Sequence, residues 1–404
     1  MAASTRYKYK PETAEPFLSL QQKQEDAPAW LGDLNRDAYN VLKNQGLPQP
    51  KLERWKFTNL LTHTKPYGDN WSKADVDYID PHNLVSKLGD SLANPQDWLQ
   101  EILSRKSELV FRYQDMSLWD LSNLFLRDGL IIDVPEEFKS SEPIEITITG
   151  HDGEFIVPRT VFRLGKGSEL TIIERHSGQG SYWNNRLTQI VLAEGAKLKH
   201  YRVQENSASA VYTQNTHVQL DSYAQYEAFN FCMGSKCSRN QVHAELNGEN
   251  AQSNMFGINL LKDGQHADTT IEVEHKAPNC NSSQYIRSVL NDHSRGVFQG
   301  KVHVHPGADH TDGSQMSNAL LLSEGAEMDT KPELEIYADE VQCAHGATTG
   351  KLEDEPLFYM RSRGIPEEQA RLLLIQAFVN EVIECLSDES LNEELEKKVK
   401  AWLS

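Results

Sequence analysis

The sequence predicts a mainly β protein, with a central parallel β-helix over 136–350 between an N-terminal helical region (1–135) and a C-terminal helical region (351–404). Three observations carry this. From about residue 143 the chain breaks into short alternating runs, among them IEITITG, TVFRLG, ELTIIER, TQIVLAEG and KLKHYRV, separated by turn residues. The runs repeat: Leu164, Leu192, Leu220 and Leu246 each lead a turn-and-strand unit, at intervals of 28, 28 and 26 residues, and Leu322 in LLLSEGAEMDT reads as a later member. The flanking regions switch to helical spacing. A period of roughly 20–50 residues marks a solenoid or propeller. No WD-type, kelch-type or helical-repeat signature is present, so stacked coils of strands fit best, with a β-sandwich of coincidental spacing as the competing reading. One coil cannot bury its inward residues alone, and stacking supplies the core.

In chain order, the N-terminal run MAASTRYKYKPETAEPF has no apolar segment of the secretory kind. It shares some composition with organelle transit peptides but soon turns acidic. Pro28, Pro48, Pro50 and Pro81 punctuate short amphipathic segments, in which Trp30, Leu31, Leu34, Tyr39, Val41 and Leu42 recur near helical spacing. LPQPKLERWKFTNL reads as a loop pinned to the core by Trp55 and Phe57. After the β runs, EDEPLFYMRSRG ends at Gly364, a residue suited to the left-handed position past a helix end. Pro366 and two glutamates then open a helix with Leu372, Ile375, Phe378, Val379, Val382 and Ile383 along one stripe. A last helix, DESLNEELEKKVKAWL, follows a capping Asp or Ser.

The net charge of −19 argues against a nucleic-acid partner, which calls for a basic face. No apolar run approaches the roughly 20 residues of a spanning helix. Five widely spread cysteines do not form a disulfide framework and fit a reducing compartment. No Walker loop, GxSxG elbow or HExxH motif is present, and no carboxylate pair marks a glycosidase. A stand-alone β-helical enzyme acting on carbohydrate is therefore the alternative function, not the leading one.

The residues that draw attention lie in DTKPELEIYADEVQCAHGATTG. Cys343 and His345 are two apart on a strand, so both side chains leave the same face. Thiolate and imidazole are ligands that iron and zinc accept, yet two ligands do not complete a site; a packed thiol beside a hydrogen-bonded histidine is the plainer reading. In HVHPGADHTDG, His303 and His305 share a face and His310 follows, compatible with a metal site or with a solvated strand end and turn. Cys232 and Cys237 have no second pair to make a zinc site, and Cys280 and Cys385 stand alone.

The chain also resembles the SufB/SufD family, subunits of the Suf machinery for iron–sulfur cluster assembly. The resemblance covers nearly the whole length and is densest in ERWKFTNL, HTDGSQMSNALLL, AEMDTKPELEIYADEVQCAHGATTG and LFYMRSRGIPEEQARLLLIQAF. It is closer to SufD-like than to SufB-like chains. The latter carry a cysteine shortly before the threonine that matches Thr330, where Ala326 stands here, and His-Glu in place of His345-Gly346.

The resemblance implies that the β-helix is right-handed and that the chain is a non-catalytic scaffold subunit. It implies pairing with a SufB-like paralogue through the β-helices, a homodimer when the chain is alone, and a SufC-like ABC ATPase bound through the C-terminal helices. Phe358, Tyr359, Arg361, Arg363, Gly364 and Pro366 match the docking stretch, and ATP is bound by the partner only. His345 matches a family histidine at the subunit interface, where it serves with a partner's cysteine as ligand to a transient iron–sulfur cluster, and Cys343 matches a cysteine commonly beside it. The family's complex is associated with a reduced flavin, for which no dinucleotide fingerprint exists here. The expected setting is the cytoplasm or, after processing, the plastid stroma. The resemblance assigns no role to His303, His305 or His310.

Overall fold

The computed structural model describes residues 10–21, 28–64, 67, 70–105 and 115–403; the start of the run compared with transit peptides, 1–9, lies outside them. The alternating runs form strands, and the strands form a parallel β-solenoid of about eight turns. The first sheet has the order β19-β17-β15-β13-β11-β9-β7-β4-β3 and the second β2-β5-β8-β10-β12-β14-β16-β18-β20. From β7 onward each rung is one strand in each sheet: β7 (Arg159–Leu164) and β8 (Glu169–Gly178), β9 (Trp183–Leu192) and β10 (Lys197–Glu205), β11 (Val211–Leu220) and β12 (Gln225–Met233). There follow β13 (Cys237–Leu246) and β14 (Gln252–Leu261), β15 (His266–His275) and β16 (Asn281–Leu290), β17 (Arg295–Val304) and β18 (Asp312–Leu321), and β19 (Glu327–Ile336) and β20 (Gln342–Gly350).

The leucine repeat is the register of the first sheet. Leu164 pairs with Leu192, Leu192 with Leu220 and Leu220 with Leu246, all buried between the sheets. His275, Val304 and Ile336 continue the column. Leu322 does not belong to it. It follows β18 on the second sheet, one residue past Leu321, which pairs with Leu290. The Ser-Glu-Gly after it resembles the Ala-Glu-Gly after Leu192, but it turns the opposite corner of the rung.

The corner from the first sheet to the second is set by one backbone geometry repeated along the stack. Gly167, Gly195, Tyr223, Asn250, Asn279, His310 and Glu340 each have φ between 54 and 68°. Glycine and asparagine suit that left-handed conformation, and Gly167, Gly195, Tyr223, Asn250 and Asn279 each donate their N–H to a carbonyl of the next rung.

Strands also occur within 1–135: β1 (Trp71–Ser72), β2 (Asp75–Ile79), β3 (Val85–Lys87) and β4 (Gly129–Val134). β2 pairs antiparallel with β5 (Ile144–Gly150), and β3 with β4; pairing to the solenoid's first rung outweighs local helical preference there. β1 pairs with the short β6 (Phe155–Ile156). Among the described residues of this region α1 (Glu15–Gln21) and α2 (Ala29–Gln45) are helices, and α2 buries Leu31, Leu34, Ala38 and Leu42 on one stripe.

The N-terminal region covers the outer face of the first sheet. Trp55 lies over the Arg239 guanidinium at 4.0 Å, Gln299 donates to the Arg54 carbonyl at 3.1 Å and Gln189 to that of Ile102 at 2.6 Å. Trp55 is buried while Phe57 is half-buried, so the loop is pinned mainly by Trp55.

Of the last three helices, the second and third cover the outer face of the second sheet and the first packs on the second. In chain order they span Asp354–Ser362, Glu367–Ile383 and Glu389–Leu403. Gly364 has φ of 87°, as its place past the first of these requires. Asp388 caps the last by accepting from the Leu391 N–H at 2.9 Å. Arg175 holds Glu394 through two bonds of 2.6 and 2.8 Å, and Arg287 donates to the Phe378 carbonyl at 2.9 Å. These helices therefore clamp the side of the solenoid instead of plugging its open end.

Candidate functional site at the last rung

β19 and β20 are the terminal strands of their sheets. A terminal strand offers a row of backbone donors and acceptors to another chain. On β20, alternation puts Cys343, His345, Ala347 and Thr349 on one face. Their register partners on β18 are Gly313, Gln315, Ser317 and Ala319, all buried. That face is the inner one: Cys343 packs against Val302, Val304 and Ala308. His345 thus tops an inward column, Gln284–Gln315–His345, and is exposed because the stack stops there.

Beneath it the interior is polar. The Gln284 amide and the Gln315 Oε1 and Ser317 Oγ atoms are buried without partners in the protein, while Gln315 donates to the Glu333 carbonyl at 3.0 Å. Burial pushes the Cys343 thiol up, and Asp312 adds to this, although a backbone bond at Gly313 opposes it. The thiol form is favoured at neutral pH until a cation or metal arrives to stabilise the thiolate.

The stretch from Phe358 to Pro366 forms an exposed patch. Phe358 is 73% exposed and Tyr359 59%, large values for aromatic rings. Arg363 donates to the Tyr359 hydroxyl at 3.0 Å and lies over its ring, and Arg361 pairs with Glu367 at 3.2 Å. Gly364 and Pro366 are also exposed and form the turn between two helices. The stripe predicted on the second helix is buried at Ile375, Val379, Val382 and Ile383.

Of the three histidines in HVHPGADHTDG, the fold joins two. The rings of His303 and His305 stack at 4.2 Å. His310 is the corner residue of its rung and faces Glu340 at 3.4 Å. Cys232, Cys237 and Cys280 are buried, and burial lifts the first two thiols to about 11 and about 12, as for thiols packed in the interior. Cys385 is exposed in the turn after the helix Glu367–Ile383.

Residues 146–378 match the model of the SufBD core domain of the SUF system for FeS cluster assembly. The chain belongs to the SufB/SufD family. It is 35% identical over 235 residues to the iron–sulfur cluster assembly protein SufD of Escherichia coli, covering 57% of this chain and 55% of that one. Over 317 residues it is 30% identical to the chloroplastic protein ABCI7 of Arabidopsis thaliana, covering 75% and 66%. A SufBD family protein of Synechocystis is 28% identical over 293 residues, covering 69% and 65%. The matched stretches thus span between about half and two thirds of these relatives.

Ala326 and Gly346 take definite places in this SufB/SufD family fold. Ala326 is buried beside Cys232, Leu261 and Ala267. A Cβ on Gly346 would come within 3.0 Å of the Met316 side chain on the outer face of β18. Among the described residues no helix is long and apolar enough to cross a membrane.

Proposed function

We propose that this chain is a non-catalytic scaffold subunit of an iron–sulfur cluster assembly complex. It pairs through its last rung with a SufB-like paralogue, and with a second copy of itself when the paralogue is absent. The observation that carries the reading is the pairing-competent edge of β19 and β20 with His345 and Cys343 at its rim. Two ligands on an open edge make an incomplete shell, which suits a cluster that is cargo: the partner supplies the remaining ligands, and the cluster can leave. His345 is the primary ligand of this chain and Cys343 the second. The setting is the cytoplasm or the plastid stroma. No residue is assigned to a flavin.

The C-terminal patch around Phe358, Tyr359, Arg361 and Arg363 docks a SufC-like ATPase, which binds the ATP. The helix that follows Pro366 is tied to β16 through Arg287, so a pull on the patch reaches the strand two before β20. Mild affinity purification from the native host, followed by mass spectrometry, tests the assembly. Recovery of a SufB-like chain and an ABC ATPase is expected; the chain recovered alone from an intact extract would sink the reading and return weight to a stand-alone carbohydrate enzyme. In the same assay Arg361→Glu with Arg363→Glu is expected to lose the ATPase and keep the paralogue. Unchanged ATPase recovery would remove the docking assignment.

A further inference from the structure

The outer face of the first sheet carries a column of ionisable residues that the proposed scaffold role does not use. Glu245 on β13, Glu274 on β15, His303 on β17 and Glu335 on β19 are successive register partners. His305, two residues beyond His303, extends the same face. His305 Nε2 lies 2.8 Å from Glu274 Oε2, and His303 Nδ1 lies 3.7 Å from Glu335 Oε2. Ligand atoms of Glu274, His303 and His305 all fall within 4.8 Å of one another. Ligands about 2.1 Å from one tetrahedral ion stand about 3.4 Å apart, so modest side-chain rotation closes the set.

We propose that Glu274, His303 and His305 bind one divalent first-row transition-metal ion, with Glu335 placed to supply a fourth ligand. Two imidazoles and a carboxylate suit zinc, cobalt or ferrous iron better than magnesium or calcium. The carboxylate is held for the task. Glu274 is fully buried, and its Oε1 faces His243 Nε2 at 3.1 Å, which leaves Oε2 toward His305. Metal-binding side chains are commonly oriented by such outer partners. Lys276 lies nearer Glu245, at 3.2 Å, than Glu274, at 3.9 Å, so its main carboxylate partner is Glu245.

Access also distinguishes this group from its neighbour. The side chains of His303 and His305 are 13 and 28% exposed, whereas His217, His243 and Glu245, which also cluster, are all buried. An ion therefore has a route to the first group. The site is on the outer face of the first sheet, and Cys343 and His345 are on the inner face of the second, so the inference does not rest on the scaffold reading.

The test is titration of the metal-free full-length chain with Co²⁺, read by visible d–d absorption, and with Zn²⁺ by calorimetry. One saturable equivalent is expected in the native chain and in Cys343→Ser/His345→Ala. His303→Gln/His305→Gln should weaken binding at least about tenfold, and His243→Gln roughly 10–100-fold by freeing the Glu274 carboxylate. Circular dichroism checks folding; if the double variant misfolds, His305→Gln alone, at the more exposed position, carries the same expectation. Unchanged Co²⁺ binding in a folded His305→Gln or double variant overturns the site. So does the absence of a saturable spectral change in the native chain.

Discussion

β13 and β20 are strands of the same solenoid and nearly the same length, yet all ten residues of β13 are buried and none of the nine in β20 is. The difference is cover. β13 has rungs on both sides, the opposite sheet against its inner face and the N-terminal region against its outer face, where Trp55 stacks on Arg239. β20 has one neighbour and a free edge. Middle rungs are thus committed to stability, while the last rung keeps its polar groups available. His345 is therefore accessible by its position in the stack, since its inward register partner Gln315 is buried.

The largest expected effect lies in the middle rungs. Glu174 on β8 is enclosed between the sheets with Arg186 at 3.2 Å, Arg202 at 3.3 Å and His200 at 3.2 Å. Burial alone would raise its pKa, but Arg186 and His200 outweigh that and hold the carboxyl well below the usual range. Glu174→Gln leaves two guanidinium groups in the core without their carboxylate. Breaking a buried pair on one side costs roughly 3–5 kcal/mol, to be read as a lowered urea midpoint. A loss no greater than that of a β20 variant would break the contrast between middle and last rungs.

A smaller effect depends on pH. His266, at the start of β15, faces the Thr58 hydroxyl at 2.9 Å, where the N-terminal loop meets the solenoid. Burial lowers its pKa to about 4, although Asp268 opposes this. The unfolded chain takes up the proton first as pH falls. The stabilising contribution is therefore complete above about 6.5 and is lost as pH drops toward 4, a change of roughly 3 kcal/mol. His266→Gln can still bond Thr58 but does not titrate, so its urea midpoint should fall less between pH 7 and 4 than that of the native chain. Parallel pH profiles would show that the histidine does not gate this contact.

The legibility of the sequence follows the same division. The column Leu164–Leu192–Leu220–Leu246 was readable because each rung ends on an inward leucine before a turn. Leu322 was misplaced because both corners of a rung use small and acidic turn residues, and composition does not tell them apart. The middle strands hid their burial. Ser238, Arg239, Asn240, Gln241, His243 and Glu245 are polar residues on both faces of β13, and all are buried because both faces are covered. The enclosed charges of Glu174, Arg186 and Arg202 gave no signal, since ELTIIERHSG does not keep strict alternation. The Glu274, His303 and His305 group had a faint one: histidines and glutamates at alternate positions recur in QVHAELN, IEVEHKA and KVHVHPG, one rung apart. Cys343 and His345 were legible as sharing a face, but whether that face is lumen or surface depends on where the stack ends.

The smallest effect on stability, and the sharpest on function, belongs to the last rung. Cys343 makes apolar contacts on one side only, and His345 is exposed, so Cys343→Ser/His345→Ala removes little packing and leaves no enclosed charge. Exposed changes of this kind usually stay within about 0.5 kcal/mol each, and the urea midpoint should move correspondingly little. If the edge is where a cluster is assembled, the same variant should still co-purify with its partners but yield less iron and acid-labile sulfide per complex. Of the single variants, His345→Ala should carry most of that loss, because the Cys343 thiol is held protonated by burial until a cation reaches it. A full cluster yield from a folded, fully assembled double variant would leave the last rung as an adhesive edge alone. A large drop in stability would mean instead that the rung is packed like the middle ones, although no residue of β20 is buried.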